Sequence, residues 1–221
     1  MKRIEIIFTI IYILAGLVYI FMGDGSSTAA KHILKGCLIP LLIIIFFINV
    51  KHRLNGTDLL VLSGLVFSWA GDIALDFSFV PGLACFLAAH LMYLLAFFLT
   101  PGKSVIFRSK AHIPALLLIT GIALILVLYD NLGNMKIPVI IYAFVILTML
   151  ASAFDRMLKV NRMSYALVIA GASLFVISDS CIAINKFAWD FDYSGPVIML
   201  TYLSAQYSIV KGYLKGAIAN P

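Results

Sequence analysis

Eight times along this chain an apolar run of about 17–22 residues is closed by a short polar break, and that length crosses a hydrocarbon core of roughly 30 Å as a helix. The runs cover about 4–22, 33–50, 58–77, 80–99, 112–129, 136–153, 165–186 and 195–213. The breaks between them carry turn residues: "GDGSS" after the first, "VPG" before the fourth, "TPGK" after it, "DNLGNMK" between the fifth and sixth. In lipid the backbone must satisfy its own hydrogen bonds, so helix follows from length and apolarity alone. With 63% hydrophobic and only 12% charged residues, no part of the chain is left for a sizeable soluble domain. The expected fold is all-α: one polytopic membrane domain over residues 1–221, with eight transmembrane helices. Spans three and four are so close in sequence that they must be an antiparallel pair.

Charge sets the orientation. Lys2, Arg3, Lys51, Arg53, Lys103, Arg108, Lys110, Arg156, Lys159, Arg162, Lys211 and Lys215 fall on one side of the alternating spans, and only Lys31, Lys35, Lys136 and Lys186 on the other. By the positive-inside rule both termini are cytoplasmic, as an even number of spans requires. The net charge of +6 is then an orientation signal, and no nucleic-acid partner is implied. Lys2 and Arg3 ahead of an apolar run resemble a signal peptide, with "SSTAA" (26–30) as a loose cleavage site. The apolar run is too long for that, and a retained helix is expected. Cys37, Cys85 and Cys181 all fall inside spans with no paired spacing, and read as small buried hydrophobes.

The acids are more informative. Glu5, Asp24, Asp58, Asp130, Asp155, Asp190 and Asp192 lie at ends or in loops, where water is expected to solvate them; Asp72, Asp76 and Asp179 do not. An aspartate near a helix centre costs roughly 2.5–3.5 kcal/mol on insertion scales. Such residues face a bundle interior or a wet cavity and mark function by default, against the plainer role of a structural hydrogen bond. "GLVFSWAGDIALDFSF" (64–79) and "GASLFVISDSCIAINKF" (171–187) each place Asp eight positions after Gly, and each is followed in the next span by a tyrosine, Tyr93 or Tyr202. This points to a parallel duplication of four helices, residues 1–105 and 106–221, with a pseudo-twofold along the membrane normal.

Helical rise places Asp72 about 7 Å, Asp179 about 10–12 Å, Tyr202 about 10 Å and His90 about 15 Å below the outer face. Asp72 with Asp76, Tyr202 with Gln206, and His90 with Tyr93 share helix faces by their spacing. Together with Asn185 they are expected to converge on one cavity in the outer half of the membrane. His32, His52 and His112 read as interfacial surface. No second ligand stands near His90, so neither a metal nor another cofactor is expected. No G-x-S-x-G, H-E-x-x-H or phosphate-cradling glycine loop occurs.

Four motifs in order, "GDIALD", "PGLACFLAAHLMYLLAF" (81–97), "SDSCIAINKF" (178–187) and "TYLSAQYSIV" (201–210), resemble the YhhN-type lysoplasmalogenase family over about residues 60–210. The resemblance implies an integral membrane hydrolase of bacterial inner-membrane type. It would cleave the vinyl ether of a lysoplasmalogen to a fatty aldehyde and a glycerophospho-alcohol, with Asp72 and Asp179 as the catalytic pair. Vinyl ether hydrolysis protonates the β-carbon, water captures the resulting oxocarbenium ion, and the hemiacetal collapses. The first step needs a carboxyl that stays protonated at neutral pH, and two sheltered carboxyls sharing one proton meet that need. Asp76, His90, Tyr93, Asn185, Tyr202 and Gln206 would line the site. Lys136 and Lys186 on the outer side would meet the lipid phosphate, and Asp190 and Asp192 an ethanolamine. Lysophospholipid and membrane lipids are the partners this implies.

The competing class is a proton-coupled transporter or lipid carrier, since intramembrane carboxylates and internal repeats mark those proteins too. Against it, spans three and seven lack the proline- and glycine-broken half-helices such carriers use, although Gly71 and Gly171 occur in them.

Overall fold

The computed structural model describes residues 2–22, 28–50, 54–104 and 112–219. Lys51, Arg53, Arg108 and Lys110, part of the charge pattern above, lie outside the described residues, as do His52, Asp24 and the start of "SSTAA". Among the described residues the chain is helical with no strand. The long helices are α1 (Lys2–Phe21), α2 (Thr28–Asn49), α3 (Gly56–Phe77), α4 (Phe79–Phe98), α5 (His112–Leu128), α6 (Lys136–Asp155), α7 (Arg162–Phe187) and α8 (Ser194–Ala219). Each expected span falls on one of them. Seven, α1 to α7, are long and apolar enough to cross a membrane. The eighth, α8, is diluted by Ser194, Thr201, Ser204, Gln206, Ser208, Lys211 and Lys215 and is not among those seven.

The lipid-facing and inward-facing residues separate as a helical period requires. On α2 a stripe of Leu38, Ile39, Leu42, Ile45 and Phe46 is at most 1% exposed, while α1 exposes Ile6, Ile10, Leu14 and Leu17 and α5 exposes Leu118, Ile122 and Leu126. Aliphatic side chains on such faces match the surrounding lipid tails, so association of the helices rests on close packing and interhelical hydrogen bonds.

The chain forms two compact units, Met1–Tyr93 and Leu94–Pro221. In the first, only Ser78 separates α3 from α4, and its N–H closes α3 by bonding to Ala74 O at 2.8 Å. Gly64 lies against the ring of Tyr93, Gly71 against Phe86, and Gly82 against Leu75. These contacts step in opposite directions along the two helices by equal amounts, which defines the antiparallel pair anticipated from sequence. In the second unit α7 and α8 pair the same way. Gly171 lies against Ala205 O and the backbone and side chain of Ile209, Gly212 against Val168, and Gly216 against Ser164.

Two expectations about charge change. Asp58 was read as solvated, yet it is fully buried, because it completes a capping box at the start of α3. Asn55 Oδ1 accepts from Asp58 N at 2.8 Å and Asp58 Oδ2 accepts from Asn55 N at 2.9 Å, which satisfies donors the helix end leaves open. Asp155 and Arg156 were likewise placed in a solvated loop and are 6% and 2% exposed. Asp155 pairs with Lys159 at 2.7 Å and accepts from Ser104 Oγ at 2.7 Å. Arg156 donates to Thr100 Oγ1 and Ser164 Oγ, both at 3.3 Å, and lies over the Phe97 ring. The ends of α4, α6, α7 and α8 are thus tied by side chains that composition had assigned to water. Cys37, expected buried, is exposed, and Cys85 and Cys181 are half-buried.

A methyl at position 171 would sit 2.8 Å from Ala205 O and 2.9 Å from Ile209 N, with backbone on the facing side and no room to yield. Gly171→Ala should therefore cost about 1–3 kcal/mol of stability by overpacking. Gly36→Ala, where nothing lies within 4 Å, should not destabilise. Melting of the two variants in detergent checks this contrast.

Candidate active site

In the first unit the acids of α3 lie against α2. Lys35 Nζ donates to Asp76 Oδ1 at 2.6 Å and to the backbone carbonyl of Asp72 at 2.8 Å. His32 Nδ1 approaches Asp76 Oδ2 to 2.5 Å, a contact its Nδ1–H tautomer makes by donating. Both carboxyl oxygens of Asp76 are therefore engaged. The Lys35 and Asp76 side chains are only 11% and 18% exposed, so the pair is largely withdrawn from water. One turn above, Trp69 Nε1 donates to Gly36 O at 2.8 Å and adds a second tie between the helices. Asp72 is 3% exposed. His90 and Tyr93, on α4, are fully buried, with the Tyr93 ring packed on Gly64.

In the second unit the acid is Asp179, about two thirds of the way along the 26-residue α7. Tyr142, on the second turn of α6, donates its hydroxyl proton to Asp179 Oδ2. The neighbouring Ser178 Oγ donates to Ile198 O at 3.1 Å and ties α7 to α8 at the same level. Tyr202 meets Phe175 edge to face, with centroids 5.5 Å apart, and Gln206, one turn on, is fully buried. The carbonyl oxygen of the Asn185 amide is buried with no hydrogen-bond partner among the described residues. Lys136 at the start of α6 lies over the Tyr129 ring, 4.0 Å from its centroid, and Lys186 is exposed near the end of α7.

The residues read from sequence thus divide by unit: Asp72, Asp76, His90 and Tyr93 in the first, and Asp179, Asn185, Tyr202, Gln206, Lys136 and Lys186 in the second. The Tyr93 ring lies on a glycine of α3, and the Tyr202 ring meets a phenylalanine of α7. An apolar groove of about 560 Å³ also opens in the second unit between α4, α5 and α6, walled by Phe98, Leu117, Ile125, Phe144 and Leu147. Asp155 at the end of α6 borders it, and Asp179 does not. Among the described residues, no three His, Cys, Asp or Glu side chains are grouped so as to hold a metal.

The YhhN family model matches residues 30–213, most of the chain and both acid-bearing helices. The chain belongs to the YhhN family. Its sequence is 32% identical over 188 residues to human lysoplasmalogenase TMEM86B, covering 82% of this chain and 75% of that protein. Over 161 residues it is 32% identical to bovine lysoplasmalogenase TMEM86A, covering 66% of this chain and 61% of that one. A lysoplasmalogenase of Mycobacterium tuberculosis (strain CDC 1551 / Oshkosh) is 25% identical over 174 residues, 76% of this chain and 65% of its own length. No solved structure matches the chain.

Within this YhhN-family chain the structure adds three residues that sequence reading passed over. Lys35 counted only as an orientation charge and His32 only as surface. Their i,i+3 spacing nevertheless puts both on one face of α2, facing the i,i+4 pair Asp72 and Asp76 on an antiparallel neighbour. Tyr142 carried no such signal, because a tyrosine six residues into a span reads equally well as an interfacial anchor.

Removing one member of a buried ion pair strands the other, at a cost of about 3–5 kcal/mol, whereas replacing both with apolar groups can be neutral. Lys35→Met should therefore lower the melting temperature in detergent, and adding Asp76→Leu should restore most of the loss. Equal or additive losses would show that the pair is not coupled.

Proposed function

We propose that this YhhN-family chain is a membrane lysoplasmalogenase. It hydrolyses the vinyl ether of a single-chain alkenyl phospholipid to a fatty aldehyde and a glycerophospho-alcohol. The observation that carries the reading is that relatives named lysoplasmalogenase match most of the chain, while the chain itself keeps acids within two apolar helices. The reaction balances with water alone. A proton adds to the β-carbon of the vinyl ether, water adds to the carbon next to oxygen, and the hemiacetal C–O bond breaks. The former ether oxygen leaves as the glycerol hydroxyl.

In this reading Asp72 and Asp179 form the catalytic pair. One gives its proton to carbon; the other faces the cation and orients water. Asp76 is held by Lys35 and His32, so it shapes the site without serving as the acid. His90, Tyr93, Asn185, Tyr202 and Gln206 line the site as hydrogen-bonding or packing groups. We also take all eight helices to span the bilayer, both termini to be cytoplasmic, and the site to lie in the outer half. That depth suits a lysolipid, whose ether lies just beneath its headgroup and whose tail stays in hydrocarbon.

Lys186 lies seven residues beyond Asp179, on the same face of α7 and about 10 Å further out along the axis. That offset is close to the reach from a vinyl ether to the phosphate of the same lipid. Lys186 is therefore the first choice for the phosphate contact, with Lys136 at the head of α6 as the second.

Aldehyde release by purified protein in detergent, with no second compartment present, separates hydrolysis from transport. Asp72→Asn and Asp179→Asn should each lower turnover by roughly 10²–10⁴-fold or more while the protein still inserts and folds. If both kept near wild-type turnover on lysoplasmalogen, the paired-acid reading would fall. Lys186→Ala should raise KM for the phospholipid and leave unchanged the KM for a 1-alkenylglycerol that lacks phosphate. Equal effects on both substrates would remove Lys186 from the headgroup site.

A further inference from the structure

Tyr142 is a polar side chain within an apolar helix whose hydroxyl is turned toward a carboxyl on the neighbouring helix rather than toward the headgroups. It donates to Oδ2 of Asp179. An ionised carboxyl only accepts, and a protonated one carries its single proton on one oxygen while the other accepts. With Oδ2 committed as acceptor, any proton on Asp179 resides on Oδ1. The same bond fixes the rotation of the carboxyl about its own axis, so Oδ1 has one direction. Ser178, bonded to Ile198 O, holds the adjacent stretch of α7 against α8, and that keeps the helix from turning under the carboxyl.

We propose that Tyr142 is a positioning residue for the hydrolysis: it makes Oδ1 the oxygen of Asp179 that meets the substrate and exchanges a proton there. The proposal rests on the reading of Asp179 as one of the catalytic pair, and it goes beyond it by naming the group that aims that acid. Tyr142 does not touch the reacting atoms in this account; it acts through Asp179.

The test is Tyr142→Phe, which removes one oxygen and keeps the ring. Loss of an outer group that orients a metal-ligating side chain costs about 10–100-fold in affinity or activity, and the same scale is taken for a group that orients a catalytic acid. Y142F should lower kcat on lysoplasmalogen, per folded molecule, by about that factor, with KM within about twofold. Infrared difference spectra supply a readout independent of turnover. The carboxyl band that Asp179→Asn removes should shift in Y142F as its hydrogen bond is lost. An unchanged kcat in Y142F overturns the proposal whether or not the band moves. Loss of folded protein in Y142F, with the folded fraction turning over at the wild-type rate, marks a structural role and overturns it too. If D179N itself keeps full turnover, the catalytic reading of Asp179 fails, while a band shift in Y142F still reports the bond. The two failures are therefore distinguishable.

Discussion

A polar side chain that enters hydrocarbon has to find its partner inside the protein, and the arrangement of this chain follows from that requirement. In the first unit α2 supplies Lys35 and His32 to Asp76, and Lys35 also reaches the backbone of α3 at Asp72. In the second unit α6 supplies Tyr142 to Asp179. In each case the donor comes from the helix immediately before the acid-bearing one, across a short connection. Each acid-bearing helix is thus tied by polar pairing to the helix before it and by glycine-mediated close packing to the helix after it, α3 to α4 and α7 to α8. Both serve association, since apolar side chains gain little by leaving lipid for one another.

The helix ends around Arg156 obey the same rule. Arg156 is almost fully buried, yet Thr100, Ser164 and the ring of Phe97 surround its guanidinium, while Asp155 takes Lys159 and Ser104. A charge close to a helix end is not automatically a solvated one. When several helix ends meet, the cheapest partner for an arginine is another part of the chain.

Most of the helical architecture was legible because the signal is long and redundant. Each apolar run needed only to be counted against the bilayer, and Ser78 between α3 and α4 left no alternative to an antiparallel pair. Asp72 and Asp179 were legible because a carboxyl in an apolar run is rare on its own. What sequence did not reveal is pairing. Lys35 balanced a charge count without showing which acid it meets, and Tyr142 looked like an anchor because a tyrosine hydroxyl has no spacing rule. Asp58 and Asp155 were misassigned to water for the reverse reason: capping and packing at helix ends depend on side-chain geometry that a hydropathy pattern does not carry.

Membership of the YhhN family and likeness to proteins named lysoplasmalogenase support a hydrolytic reading of the chain. Vinyl ether hydrolysis is a reaction that a sheltered carboxyl can drive with water as the sole co-reactant. The central claim is that such a carboxyl hands a proton to carbon, and the isotope content of the product tests it most directly. Turnover of lysoplasmalogen in D₂O, with the aldehyde trapped at once by reduction, should place a single deuterium on the carbon next to the former carbonyl. Product without deuterium at that carbon would contradict the account.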